Sequence, residues 1–282
     1  MGFNPELLFL IVLALIWIIG AILQDLKRRE VDNIWNFSLI AFALSYRFFV
    51  SIFQENPWFF FNGIIGFFVF LILGNVFYYS RLFAGGDAKL LISLGTILPL
   101  SYDWIINAKI FLIFIIGFLV CGSIYALSWS LVLVILNFKR FFKEFVKQSK
   151  NYKRFYLISI FFASIWIILT LIFLDKIFLF IGLIIVLFPI LFVFAKSVEE
   201  SCMIIPTSPL KVTEGDWLYE DILVGDKRIK ASWEGISNKE LKLIQTKYKK
   251  KILIKQGIPF TPSFLFGFLI ILFLLFKNNF YI

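Results

Sequence analysis

The sequence predicts an all-α polytopic membrane protein with about eight transmembrane helices, in a range of six to eight, and a small cytoplasmic α+β domain before the last helix. Of its 282 residues, 61% are hydrophobic, 38 are Phe, and the mean hydropathy is +0.91. Apolar runs of about 20 residues, the length that crosses a bilayer as a helix, recur along the chain. Basic residues cluster in alternate connections between these runs, as expected for a multi-pass protein.

The apolar runs define eight predicted spans of similar length. They cover about 6–24, 34–53, 58–79, 88–106, 109–137, 155–174, 177–195 and 260–277. The fourth is the weakest because its apolar part is short and ends at Pro99, which is compatible with a tilted or partly re-entrant helix. The first run follows no basic segment of the kind found in cleaved signal peptides, so we expect a retained helix.

The predicted domains follow from these runs: a helical bundle over 1–195, a cytoplasmic domain over 196–259, and a final helix with the C-terminus over 260–282. In the middle domain, residues 212–229 are typical of a β-hairpin with a turn at Gly225-Asp226. Ser237 and Glu240 form a capping box for a helix to about Lys250, followed by a strand. Residues 139–154 alternate basic and apolar side chains, which favours an amphipathic helix on the membrane surface.

The net charge of +10 is explained more simply by the topology of the membrane spans than by binding of nucleic acid. All but four of the 28 Lys and Arg residues fall in one alternate set of connections; the exceptions are Arg47, Lys109, Lys176 and Lys277. The positive-inside rule then puts the N-terminus outside. Membrane lipid is an expected partner, because basic segments attract anionic head groups, and nucleic acid is not.

Several residue types needed for common chemistries are missing from the sequence. There is no His, which excludes Ser-His catalysis and His-based zinc sites. No phosphate-binding loop of the G-x-x-x-x-G-K-[ST] type occurs. The two cysteines, Cys121 and Cys202, are too few for a disulfide framework or a four-ligand metal site. We therefore expect neither a metal nor a cofactor.

Two aspartates border apolar runs on the side predicted to be cytoplasmic. Asp25 follows the first run, and Asp87 opens the fourth after Gly85 and Gly86. An acidic residue at a membrane edge is costly and indicates a functional site. Two adjacent carboxyls can share one proton, so that one activates water while the other polarises a peptide carbonyl and later protonates the leaving amine.

Plainer roles remain open for each of these residues. Asp87 could cap the fourth helix, and Asp25 could be a solvated residue after the first. The two glycines could let another backbone pass close to Asp87. Lys89 and Arg29 are most simply explained as basic residues that follow the positive-inside rule. The alternative is that their charges tune the protonation of the aspartates.

Four stretches together resemble the archaeal type IV prepilin peptidases, most closely the preflagellin peptidases of the GxGD class of aspartyl proteases. They are DLKxREVxNxW at 25–35, GDAK at 86–89, EGDWL at 214–218 and GIPFxPSF at 257–264. The sequence departs from that pattern at Ala84, where a strict G-x-G-D motif has Gly, and in the longer region 107–195.

This resemblance implies that Asp25 and Asp87 are the catalytic dyad. It also implies an endopeptidase that removes short basic leader peptides from pilin-like or flagellin-like precursors at the cytoplasmic face. The alternative is a proton- or cation-coupled secondary transporter, which would favour carboxylates near the bilayer midplane and two similar halves. A scaffold subunit of an export machine is the third possibility.

Overall fold

The computed structural model describes residues 5–225 and 227–277, which form two compact units. The first contains residues 5–127 and 258–277, and the second contains residues 128–257. The second unit is therefore inserted between the last helix and the rest of the first. The functional division at 195 and 259 stays a prediction.

The first unit consists of helices. They are α1 (Pro5–Arg28), α2 (Asn33–Phe53), α3 (Trp58–Tyr79), α4 (Gly85–Leu94), the first two-thirds of α5 (Trp104–Leu136), and α10 (Pro262–Phe276). The second unit contains the end of α5, α6 (Phe138–Asn151), α7 (Lys153–Phe173), α8 (Lys176–Cys202), α9 (Asn238–Lys247) and five short strands.

Six described helices are long and apolar enough to cross a membrane, namely α1, α2, α3, α5, α7 and α8. The protein is thus a multi-pass membrane protein, but the count of eight spans is not confirmed. α10 has only 15 residues, and α4 only 10. The prediction of one helix over 88–106 was wrong, because α4 ends at Leu94 and the chain is irregular until Trp104.

The break after α4 is enclosed by protein and supplied with hydrogen bonds by one side chain. Every residue of the segment 95–101 is buried. The Arg47 guanidinium, itself fully buried, donates to the carbonyl oxygens of Thr96 (2.8 Å), Ile97 (3.1 Å) and Pro99 (2.6 Å), and to that of Phe59 (2.9 Å). Irregular backbone is tolerated inside a membrane protein only where its polar groups are satisfied in this way.

The sequence had placed Arg47 among the charges of the connections, and this was wrong. Arg47 lies inside α2, where its charge serves the broken segment rather than the membrane surface. Glycines of α3 make the necessary room. A Cβ at Gly63 would lie 2.5 Å from the Arg47 Cδ, and one at Gly66 would overlap the Gly95 carbonyl oxygen.

Aromatic packing joins α10 to α5. Phe118 lies 4.5 Å from Phe264 between ring centroids and stacks on Phe114 at 6.1 Å. Gly267 permits this approach, since a Cβ there would lie 2.9 Å from the Phe118 Cβ. The final helix is therefore a fixed part of the first unit, although it follows the inserted second unit in sequence.

The second unit combines helices with two small sheets. The strands are β1 (Ile204–Thr207), β2 (Trp217–Leu218), β3 (Ile222–Val224), β4 (Lys227–Ile229) and β5 (Ile252–Lys255). One antiparallel sheet has the order β1-β5-β2, and the other is a β3-β4 hairpin with Val224 paired to Lys227.

Predictions for this unit were partly right. The hairpin turn contains Gly225 at φ 62°, while Asp226 lies outside the described residues. The first half of the predicted hairpin instead pairs with β5. The capping box of Ser237 and Glu240 is confirmed, but α9 ends at Lys247 rather than near Lys250.

Replacing Arg47 by Met should destabilise the first unit strongly. Four buried carbonyl oxygens would lose their donor, and each unsatisfied group costs about 1–3 kcal/mol. We expect a loss of at least about 3 kcal/mol in unfolding free energy, measured by denaturation in detergent micelles. Lys109→Met, at an exposed position on α5, is the matched control and should change stability by less than about 1 kcal/mol. Equal stability of the two variants would contradict the role given to Arg47.

Candidate active site

Asp25 lies in the last turn of α1, and its side chain is held by the segment that precedes α10. Its residue exposure is only 7%. The Thr261 backbone N–H and hydroxyl both donate to Asp25 Oδ2, at 3.2 and 2.9 Å. The plain reading of Asp25 as a solvated residue after the helix is therefore wrong. A buried carboxylate with specific donors is an arrangement expected at a functional site.

Asp87 lies in the first turn of α4, outside the six candidate spans, and is partly exposed. The N-cap of this helix is Ala84, and the Ala84 backbone donates a hydrogen bond to the Asp87 carboxylate. Asp87 therefore occupies the third helical position and not the N-cap. A carboxylate at this position is favoured by the helix dipole, which explains how α4 tolerates it.

The two carboxyls lie within electrostatic reach of each other. The pKa of Asp87 is raised to about 7, first because surrounding protein disfavours the charged form and second because the negative charge of Asp25 acts on it. The folding of α1 and α4 thus places the two predicted aspartates close enough for the charge of Asp25 to act on Asp87. A pair of this kind can hold one proton between two carboxyls near neutral pH.

The neighbouring residues singled out in the sequence lie around this pair. Arg29 follows α1 with a left-handed backbone (φ 59°), donates its N–H to the Asp25 carbonyl, and acts electrostatically on the Asp25 side chain. The Lys89 ammonium donates to Asn33 Oδ1 at 2.6 Å. Lys89 therefore links α4 to the start of α2 rather than pairing with either aspartate.

Neither glycine before Asp87 is required by backbone strain or by close packing within the chain. Both have negative φ, and a Cβ at Gly86 would make only ordinary contacts with Val31, 3.5 Å from its N. A Cβ at Gly85 would have Tyr78 as its nearest neighbour, at 3.9 Å. Open space beside Gly85 is thus a feature of the surface next to Asp87.

A groove of about 710 Å³ runs between α2, α3 and α4 and reaches Gly85 and Lys89. Its walls are mostly apolar and include Ala41, Phe67 and Leu71. Neither aspartate lines it, but Gly85 and Ala88, which do, lie on either side of Asp87 in the sequence.

Two residues of this site were not found from the sequence. Thr261 occupies the variable position in the GIPFxPSF stretch, so the resemblance gave no reason to single it out. Tyr125, on α5, is close enough for the charge of Asp25 to act on it, but it lies in a long apolar run. Within residues 5–225 and 227–277, no group of three or more His, Cys, Asp or Glu side chains is placed to hold a metal.

Comparison with known proteins finds similarity over part of the chain. A sequence model of the type IV leader peptidase family matches residues 11–140, which include both aspartates. The resemblance inferred from the sequence motifs is confirmed for this part of the chain. No solved structure matches the protein.

Two preflagellin peptidases are similar to parts of the chain. The protein from Methanocaldococcus jannaschii is 30% identical over 134 residues, which are 44% of this chain and 56% of that protein. The protein from Methanococcus maripaludis is 37% identical over 90 residues, which are 29% of this chain and 38% of that protein. The chain thus spans little more than half the length of the first and less than half of the second.

Proposed function

We propose that this protein is a membrane aspartyl endopeptidase that removes short basic leader peptides from type IV pilin-like or flagellin-like precursors. One observation carries the proposal: the negative charge of Asp25 acts on Asp87 inside the region that matches the leader peptidase family. The preflagellin peptidases similar to this region support precursors of the same kind as substrates.

The chemistry follows from a dyad that shares one proton. The ionised carboxylate takes a proton from a water molecule as the water oxygen bonds to the peptide carbonyl carbon. The neutral carboxyl donates to the carbonyl oxygen, which stabilises the negative charge that would otherwise develop there. The leaving amine then receives a proton as the C–N bond breaks.

The substrate in this proposal has a basic leader followed by an apolar helix. The bond to be cut must be extended, because a helix uses its own carbonyls in internal hydrogen bonds. The open space beside Gly85 supports passage of such a strand near Asp87. The groove between α2, α3 and α4 supports docking of the apolar helix, since Gly85 lines it.

The orientation is also a proposal. The distribution of Lys and Arg supports an external N-terminus and a cytoplasmic location for the end of the first unit that carries the aspartates. The basic leader of an unprocessed precursor would then lie on the same side of the membrane as the two aspartates. The comparisons do not support the alternative of a proton- or cation-coupled transporter.

Membrane lipid is the second proposed partner, and α6 is the surface that supports it. Phe138, Phe142 and Val146 form an exposed apolar stripe on this helix, beside exposed Lys139, Lys143 and Lys150. The opposite face is packed, with Phe141 against Phe194 of α8. An apolar stripe beside a basic one is typical of a helix that lies at an anionic lipid surface.

The dyad predicts loss of cleavage for either asparagine substitution. Asp25→Asn and Asp87→Asn should each reduce processing of a co-expressed precursor by more than about 1000-fold, since each removes one half of the acid–base pair. The measurement is a mobility shift of the precursor on immunoblots. Asp103→Asn, in the connection before α5, is the matched control and should process normally. Retained cleavage in either dyad variant, with both proteins present in the membrane, would refute the assignment.

The groove predicts a change in substrate affinity. In Ala41→Trp the larger side chain would occupy part of the groove and obstruct a docked helix. We therefore expect KM for a purified precursor in detergent to rise about tenfold with little change in kcat. Val76→Trp, at an exposed position of α3 that does not line the groove, should leave KM unchanged. An unchanged KM for Ala41→Trp would exclude the groove as the docking site.

Neutralising the basic stripe of α6 should weaken lipid binding. A variant with Lys139, Lys143 and Lys150 replaced by Gln should bind a fluorescent phosphatidylglycerol at least about tenfold more weakly, because each charge contributes about 1 kcal/mol at an anionic surface. Binding is measured by anisotropy with the purified protein in micelles.

The matched control replaces three exposed lysines of α9 by Gln: Lys239, Lys242 and Lys247. Its affinity should stay within about twofold of the unsubstituted protein. Equal losses in the two triple variants would show that net charge, and not α6, controls lipid binding.

A further inference from the structure

The two carboxyls of the site accept hydrogen bonds from different groups, and Thr261 donates only to Asp25. Its side chain is fully buried, and its N–H and hydroxyl converge on a single oxygen of Asp25. A backbone N–H can only donate. An oxygen that accepts two donors is favoured in its ionised form, because hydrogen bonds to the charged form stabilise it.

Thr261 is fixed in place by the start of α10 and by aromatic packing. Pro262 begins the helix, and the Thr261 carbonyl accepts from the N–H of Phe264 at 3.1 Å. The preceding Phe260 packs edge-on against Phe118 at 5.4 Å. Gly122 of α5 leaves room for that ring, since a Cβ there would lie 2.6 Å from the Phe260 Cζ. The two donors are therefore rigidly placed.

Asp87 has a different set of neighbours. It accepts from the Ala84 backbone, and the charge that acts on it is the negative charge of Asp25. Both the surrounding protein and that charge favour its neutral form. If one proton is shared, the hydrogen bonds of Thr261 oppose placing it on Asp25.

Other charged and titratable groups around Asp25 come from three elements. Arg29 follows α1 and favours a negative charge on Asp25, and Asp87 on α4 is the group on which the charge of Asp25 acts. Tyr125 approaches from α5. Lys89 of α4 is engaged by Asn33 of α2. Arg29 and Thr261 thus act in the same direction.

We propose that Thr261 is a positioning residue that keeps Asp25 ionised, so that Asp25 is the general base and Asp87 carries the shared proton. The assignment rests on the proposed peptidase function. Asp25 takes a proton from water while the water oxygen bonds to the carbonyl carbon, and Asp87 gives its proton to the carbonyl oxygen. When the C–N bond breaks, Asp25 returns its proton to the amine, and a hydroxyl of the intermediate returns one to Asp87.

The test compares Thr261→Val with Thr261→Ser. Valine has nearly the same shape but no hydroxyl, so the ionised Asp25 loses one donor. We expect the acid limb of the kcat/KM profile against pH to move up by about one pH unit, so that kcat/KM at a pH well below this limb falls about tenfold. Serine should restore the original limb. Ser263→Ala, which removes a hydroxyl bonded to Phe260 instead, is the matched control and should leave the limb in place.

Three results would overturn the assignment. A uniform loss of activity at all pH values would reduce Thr261 to a structural residue. Movement of the alkaline limb alone would reverse the roles of the two aspartates. An unmoved profile in Thr261→Val would remove Thr261 from the site.

A second measurement does not need turnover. The infrared difference between the unsubstituted protein and Asp25→Asn at pH 6 should show loss of a carboxylate band, whereas loss of a protonated carboxyl band would contradict the proposal. If the unsubstituted protein cleaves no precursor, the proposed function fails. The infrared result then still decides whether Asp25 is ionised.

Discussion

The Arg47 guanidinium is the interaction on which the first unit depends. It donates to four backbone carbonyls, three of them in the irregular segment after α4. Without a donor those oxygens would be buried and unsatisfied, and the segment could not remain inside the bundle. The break ends α4 at Leu94 and so leaves a helix of only 10 residues, with Asp87 in its first turn.

Two glycines of α3 provide the space that the Arg47 side chain and the irregular segment occupy. Gly63 admits the Arg47 side chain and Gly66 admits the Gly95 carbonyl, so helix and irregular backbone approach without side chains between them. A buried arginine and two small residues thus allow a chain segment to leave helical geometry within a helical bundle. The result is a carboxylate held at one end of the unit by a helix only 10 residues long.

The second aspartate depends on a contact across almost the whole chain. Asp25 and Thr261 are 236 positions apart, and in the sequence all of residues 128–257 precede the segment that supplies Thr261. Aromatic packing of Phe118 with Phe260 and Phe264 fixes that segment. Burial alone would disfavour charge on both carboxyls, so the hydrogen bonds from Thr261 are what distinguish one from the other.

Much of this architecture was predictable because it follows from local composition. Long apolar runs determined six candidate spans, the capping box at Ser237 determined the start of α9, and two membrane-edge aspartates indicated the site. The hairpin of the second unit was only half right, because β2 pairs with β5 far along the chain. Catalytic roles for Asp25 and Asp87 stay predictions.

What the sequence alone determined was therefore a multi-pass membrane protein with six candidate spans, and it indicated two acidic residues at the edges of apolar runs, since each leaves a signal within a short window. Tertiary structure alone decided that Arg47 supports a broken segment, that α4 is short, and that Thr261 binds Asp25. An arginine in an apolar run and a threonine before a proline have no periodicity that reveals their partners. Those partners are determined by folding, which brings distant carbonyls and carboxylates to donors that must be satisfied away from water.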